Sequence, residues 1–287
     1  MLECLNEHRC FGGSQRFYRH ASSVIGLSMR FSVYLPPLIE KTAKVPALLF
    51  LAGLTCTEET FMIKAHAQRF AAQVGIALIT VDTSPRGAGI VGEDEDWDFG
   101  TGAGFYLDAT LAPWNKHYRM YSYLTQELPP LIFKHFPIDT SRVGVFGHSM
   151  GGHGALVLAL RNPRLFTSVS AFAPIAAPML APWGQKAFKG YLGEDQSTWE
   201  QYDASVLMAQ LNAPFPNGIL IDQGLEDKFL KDQLFPEVFE NSCQIAKQPL
   251  FLRQHEGYDH GYYFISTFIE DHILFHAKSF LHDVYIL

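Results

Sequence analysis

Ser149 stands between two glycines in Gly147-His148-Ser149-Met150-Gly151, a setting in which a serine can act as a nucleophile. The GxSxG spacing alone is weak, because short Gly/Ser strings arise by chance. Its surroundings give it meaning: Arg142 to Phe146 reads as a strand and Gly152 to Leu160 as a helix. A serine on the sharp turn between them is held at a strained backbone position above the sheet. Side-chain-free flanks let that turn pack closely. The N–H groups beside the serine then lie at a helix N-terminus, where they suit a developing negative charge. The competing reading is a tight strand–helix turn with a bystander serine.

A serine nucleophile needs a base and an acid, which in this arrangement follow in the order Ser, acid, His. From Gly218 the chain reads as a strand, then Gly-Leu-Glu-Asp ending at Asp227, then a helix. Asp227 falls in the loop, from which a carboxylate reaches across to a histidine. Asp222 at the strand end and the adjacent Glu226 are rivals. Leu250 to Leu252 forms the core of a last strand, and the loop from His255 to Gly261 follows it. His260 sits just before the next helix, His255 nearer the strand. His148 and His153 lie too close to the serine in sequence to meet a distant acid, and read as packing or hydrogen-bonding residues. No HExxH or similar spacing occurs, so neither metal nor cofactor is expected.

These residues must be positioned by short apolar strands alternating with longer helices. Met29 to Leu35, Ala47 to Leu51, Ile76 to Thr80, Val143 to Phe146, Ser168 to Phe172, Gly218 to Ile221 and Leu250 to Leu252 read as strands. Helices are expected over Glu58 to Val74, Met120 to Phe136, Gly151 to Arg161, Leu234 to Ala246 and Tyr263 to Phe280. The alternation describes an α/β domain with a mostly parallel central sheet flanked by helices. Ala173 to Asp203 is less regular and is expected near the rim of the site, with no large separate cap domain. No Pro/Gly/Ser-rich linker interrupts the pattern, so residues 1–287 read as one domain.

Composition narrows the partners. Apolar residues make up 48% of the 287, enough for a sizeable core, and the formal net charge is −7. That sign argues against nucleic acid and anionic membrane. No apolar run approaches the roughly 18–20 residues that span a bilayer. The polar N-terminus does not read as a secretory signal. Cys4, Cys10, Cys56 and Cys243 form no CxxC pair, and free thiols in such a chain point to the cytosol. Gly100 to Gly104 joins no strand to a helix and lacks the Lys-Ser/Thr of a phosphate loop. The acidic run Glu93 to Asp98 lacks EF-hand spacing.

Four segments resemble the S-formylglutathione hydrolase family, also called esterase D, over nearly the whole chain. They are Leu51-Ala-Gly-Leu-Thr-Cys-Thr57, Trp97-Asp-Phe-Gly-Thr-Gly-Ala-Gly-Phe-Tyr106, Gly147-His-Ser-Met-Gly-Gly-His-Gly154 and Tyr258-Asp-His-Gly-Tyr-Tyr-Phe264. Gly190-Tyr-Leu-Gly193, Trp199 and Tyr202-Asp-Ala204 add to the likeness. The resemblance implies the α/β-hydrolase fold, with Ser149 as nucleophile, His260 as base and Asp227 as its partner. It also implies the N–H groups of Leu54 and Met150 as the oxyanion hole. Cys56, two residues after Leu54 in that loop, is then expected as a thiol near the site. Members of the family are usually cytosolic and often homodimeric. They hydrolyse S-formylglutathione to formate and glutathione in the disposal of formaldehyde. One departure is Gly261, where the family more often has serine.

The rival activities are a general short-chain carboxylesterase and an acyltransferase using the same triad; a binding module without catalysis is a further alternative. Glutathione is anionic, so a nearby Lys or Arg is plausible, but the sequence selects none.

Overall fold

The structure is a computed structural model and describes residues 2–37 and 43–280. A nine-stranded sheet organises it, in the order β1-β2-β3-β5-β4-β6-β7-β8-β9. Strands β1 (Leu2–Cys10), β2 (Gly13–Ala21) and β3 (Ser28–Leu35) are antiparallel neighbours, and β3 joins the rest through an antiparallel pairing with β5 (Ala77–Val81). From β5 onward every pairing is parallel: with β4 (Val45–Leu51), then β6 (Ile138–His148), β7 (Ser168–Phe172), β8 (Ile219–Gly224) and β9 (Leu250–His255). β5 and β7 are buried throughout, as expected of parallel strands covered on both faces. β1 is polar and largely exposed, and neither β1 nor β2 is legible as a strand from its apolar pattern.

The helices are α1 (Thr60–Lys64), α2 (Ala67–Val74), α3 (Met120–Ser122), α4 (Leu128–His135), α5 (Met150–Arg161), α6 (Pro182–Leu192), α7 (Ala204–Ala209), α8 (Pro236–Ala246) and α9 (Tyr262–Phe280). Two expected helices are broken. The stretch from Glu58 divides at His66, whose φ of 57° caps the start of α2. The stretch from Met120 passes through a π-helical turn at Tyr123–Glu127 before α4, which opens on two prolines. A proline lacks the N–H that would continue the ladder, so the hydrogen-bond pattern changes there. The irregular region after β7 contains α6, which sequence periodicity did not reveal. Among the described residues no helix is long and apolar enough to cross a membrane.

The core lies on both faces of the parallel strands. Phe50 of β4 stacks on Phe61 of α1 with ring centroids 3.7 Å apart, and Phe146 of β6 meets both rings edge-on. This cluster anchors the two strands whose C-terminal ends carry the loops beside Ser149. The functional loops thus leave the C-terminal edge of the sheet, where ligands of open α/β sheets bind.

Candidate active site

Ser149 links β6 to α5 at φ 59° and ψ −120°, a backbone conformation unfavourable for a side chain with a Cβ. The turn is too tight for side chains on either flank. A Cβ on Gly147 would lie 2.2 Å from the Gly151 carbonyl oxygen, and one on Gly151 would lie 1.9 Å from that of Leu51. The Ser149 N–H donates to the Phe172 carbonyl at 3.0 Å, and its carbonyl accepts from His153 and Ile175. The strained residue is therefore bonded on both sides.

Asp227 and His260 come from the loops after β8 and β9. His260 Nδ1 and Asp227 Oδ2 are 2.5 Å apart, and the aspartate side chain has no exposed surface. Its carboxylate also accepts from the Phe229 N–H at 2.9 Å and from Gln223 Nε2 at 3.3 Å. Backbone bonds tie the two loops together: Leu225 N–H to the His255 carbonyl and Glu226 N–H to the Tyr258 carbonyl, each 2.9 Å. Glu226 points to solvent. His255 stacks on Phe268 at 3.8 Å instead of facing the serine.

Ser149, His260, Leu54, Cys56 and His148 line one cavity of about 140 Å³. Trp97, Trp183 and Phe229 close its outer side. Their rings meet in series, Trp97 to Trp183 at 5.5 Å and Trp183 to Phe229 at 4.7 Å, and Phe229 meets His260 edge-on at 5.0 Å. The loop bearing Trp97 is tied to α6 by Lys186, which lies 2.9 Å from Asp96 and 2.5 Å from Asp98. The acidic run thus holds part of the rim in place. Between the rim and the serine, the backbone N–H groups of Leu54 and Met150 donate to no protein acceptor among the described residues. Such free donors beside a nucleophile suit an oxyanion.

The family model described as "Putative esterase" matches residues 22–275. An S-formylglutathione hydrolase of Rattus norvegicus is 55% identical over 278 residues, covering 96% of this chain and 98% of the relative. One from Arabidopsis thaliana is 52% identical, covering 97% and 98%. A solved structure of an S-formylglutathione hydrolase from Agrobacterium tumefaciens superposes with a TM-score of 0.92 at 45% identity, covering 96% of this chain and 99% of that one. The chain belongs to the S-formylglutathione hydrolase family, with the α/β-hydrolase fold.

A second Ser-His-Asp chain lies elsewhere in the same molecule. Ser170 Oγ is 2.9 Å from His276 Nε2 and 2.8 Å from His272 Nδ1, and His272 Nε2 is 3.2 Å from Asp222. Ser168 bonds the far nitrogen of His276 at 2.6 Å. All five residues have no exposed surface, so no substrate reaches them. Asp222 is further engaged by Arg253 at 2.5 and 2.6 Å; against burial, which raises it, the hydrogen bonds from His272 and then Arg253 hold its carboxyl well below the usual range. The network joins β7, β8 and β9 to α9 and removes Asp222 from contention as the acid of the site.

Of the packing and hydrogen-bonding roles open to His148, the structure fits packing: the ring is buried and neither of its nitrogens finds a partner. Its ring lies 4.4 Å from that of His260, and burial, reinforced by His260, pushes its pKa well down. His153 is held by the Phe105 carbonyl at 3.1 Å, as a hydrogen-bonding histidine would be. The Gly100–Gly104 loop braces the oxyanion loop, through Thr55 N–H to the Gly102 carbonyl at 2.9 Å. Gly261 does not need to be glycine: a Cβ there meets only the flexible Asp259 carboxylate, at 3.2 Å. Among the described residues no group of three or more His, Cys, Asp or Glu is arranged to hold a metal. The aromatic rim was the part sequence reasoning missed; Trp97 lay inside a quoted motif, but Trp183 and Phe229 carried no signal.

Proposed function

We propose that this protein hydrolyses S-formylglutathione to formate and glutathione. The observation that carries the reading is one small cavity lined by both Ser149 and His260, with Asp227 hydrogen-bonded to the imidazole, in a chain 55% identical to a protein of that name. Ser149 Oγ attacks the formyl carbon while His260 takes its proton through Nε2. Asp227 fixes the imidazole with Nδ1–H toward itself and stabilises the imidazolium. The oxyanion is received by the Leu54 and Met150 N–H groups, each worth about 3–4 kcal/mol in comparable sites. The tetrahedral adduct collapses, the C–S bond breaks, and the sulfur leaves with the proton from His260. Thiols ionise near pH 8.5, so this departure is easy. Water then attacks the formyl-serine, His260 taking its proton and returning it to Ser149 as formate departs.

The cavity volume of about 140 Å³ supports a small acyl group, being well under the roughly 300–1,000 Å³ of sites for drug-sized ligands. The same reading carries a cytosolic setting, in keeping with four free cysteines, and a homodimer, which sedimentation tests. The deciding experiment compares kcat/KM for S-formylglutathione with that for a simple formyl ester. A large preference for the thioester supports the proposal. Equal or better use of the ester makes the protein a general short-chain carboxylesterase, and acyl transfer to added alcohol in place of hydrolysis makes it an acyltransferase.

A further inference from the structure

A second cavity, of about 360 Å³, opens on the same edge of the sheet. It is formed where β3 begins, at Arg30, and by the loops after β4 and β5, at Thr57, Glu58, Asp82 and Arg86. Its wall is the other side of the oxyanion loop. Cys56 lines the cavity with Ser149, whereas the next residue, Thr57, lines this one. The Cys56 carbonyl accepts from Thr83 Oγ1 at 2.6 Å and from Arg86 Nη2 at 3.3 Å. The cavity centres on β5, two strands from β6 in the sheet, and thus about 10 Å from the end that bears Ser149. An extended ligand segment of about eight bonds spans about the same length.

Two of its charged groups satisfy each other. Asp82 and Arg86 share hydrogen bonds of 2.7 and 2.8 Å. Exposed Glu59 also lines the cavity, and Arg30 and Glu58 share no hydrogen bond. Glu58 is 3% exposed, and its carboxylate accepts no hydrogen bond from another described residue. Its nearest cation is Arg30 Nη1, at 4.0 Å, the outer limit of ion-pair contact. The Arg30 guanidinium is half-exposed and donates no hydrogen bond among the described residues. Burial, with the Asp82 carboxylate beside it, pushes the Glu58 carboxyl up, so the position favours an arriving cation. A buried carboxylate with no donor beyond its own backbone N–H and a free guanidinium fork, side by side, complement an ammonium and a carboxylate borne on one carbon. Glutathione carries such an amino-acid head at its γ-glutamyl end.

We propose that this cavity binds the α-amino acid head of the γ-glutamyl group of glutathione, with Arg30 on its carboxylate and Glu58 on its ammonium. The inference rests on the thioester reading given above and explains how a small acyl cavity distinguishes a glutathione thioester from other formyl donors. Three substrates test it: S-formylglutathione, the S-formyl thioester of cysteinylglycine, which lacks the γ-glutamyl group, and a simple formyl ester. The wild type should prefer the first over the second by tenfold or more in kcat/KM. Arg30→Ala and Glu58→Gln should each lower that preference about tenfold, chiefly through KM, and Arg30→Lys should restore part of it. Because the readout is a ratio within one protein, a poorly folded variant that loses both activities alike keeps the wild-type ratio and does not mimic the effect. A wild type that uses the two thioesters equally, or variants that keep the full preference, overturns this assignment and leaves the thioester activity standing. A wild type that prefers the simple ester to both thioesters overturns that activity itself.

Discussion

His260 Nδ1 sits 2.5 Å from a carboxylate oxygen of Asp227, and that carboxylate has no exposed surface. The pair is thereby fixed before any substrate arrives. Asp227→Asn should lower kcat by about 10⁴-fold, because an amide favours the wrong imidazole tautomer. Ser149→Ala should abolish turnover and fluorophosphonate labelling while leaving the circular dichroism spectrum intact. Glu226→Gln, in solvent, should stay within about twofold of wild type. A Glu226 variant as impaired as the Asp227 variant would transfer the acid's role.

Asp222 has a different task. Removing it leaves the Nε2 of buried His272 unmatched and strips Arg253 of two hydrogen bonds, with Asp271 as its remaining carboxylate. Asp222→Ala should cost about 3 kcal/mol in urea denaturation, as loss of one member of a buried charged network does. Its folded fraction, titrated with the active-site probe, should retain near-normal kcat. A loss of kcat in proportion to that of Asp227→Asn would contradict the separation of the two networks.

Acid should weaken the fold before it protonates the ordinary carboxylates. Burial lowers the pKa of His148, His272 and His276, and that of His153 to about 4. Below the unfolded histidine pKa of about 6.5, the unfolded chain binds protons that the folded one refuses. Stability is therefore full above about pH 6.5 and falls as pH drops. Each such histidine contributes a loss of up to about 1.4 kcal/mol per pH unit until its own folded pKa is reached. Denaturation midpoints at pH 7, 6 and 5.5 should decline steadily, and a flat series would show that these histidines charge freely in the fold.

Acyl length should matter steeply. The cavity of about 140 Å³ is bounded by Trp97, Trp183 and Phe229. Formyl and acetyl esters should turn over well, with kcat/KM falling through butyryl and beyond. Trp183→Ala should flatten that fall. A wild type that prefers octanoyl to acetyl would mean the aromatic rim does not set the limit.

Cys56 shares the cavity with Ser149, and burial pushes its thiol pKa up. Thiolate is the reactive form, so a bulky maleimide should inactivate the wild type slowly at neutral pH and faster as pH rises. Cys56→Ser should keep most activity and lose that sensitivity. Equal inactivation of the variant would place the effect at another cysteine.

Much of this site could be read from residue types because its constraints are local. The elbow needs glycines at 147 and 151, and the apolar run of β4 has no polar face to disguise it. Asp227 and His260 were legible from their places in the loops after two strands, although Asp222 and Glu226 stayed open until their partners were known. What escaped was long-range. β1 and β2 are held by backbone pairing with little apolar signal. The break at His66 lies in one backbone angle. Glu58 and Arg30 are separated by the rest of β3, all of β4 and the segments that follow each, so only the fold brings their charges into one cavity.

The loops carrying Asp227 and His260 are cross-bonded, and they spring from strands that are parallel neighbours. Their spacing is thus a property of the sheet and not of either loop. A segment anchored in that way has no private, low-energy route to disorder. Inactivation by heat should accordingly coincide with the calorimetric transition of the whole protein, with no temperature range in which an intact fold stands beside a dismantled Asp227–His260 pair.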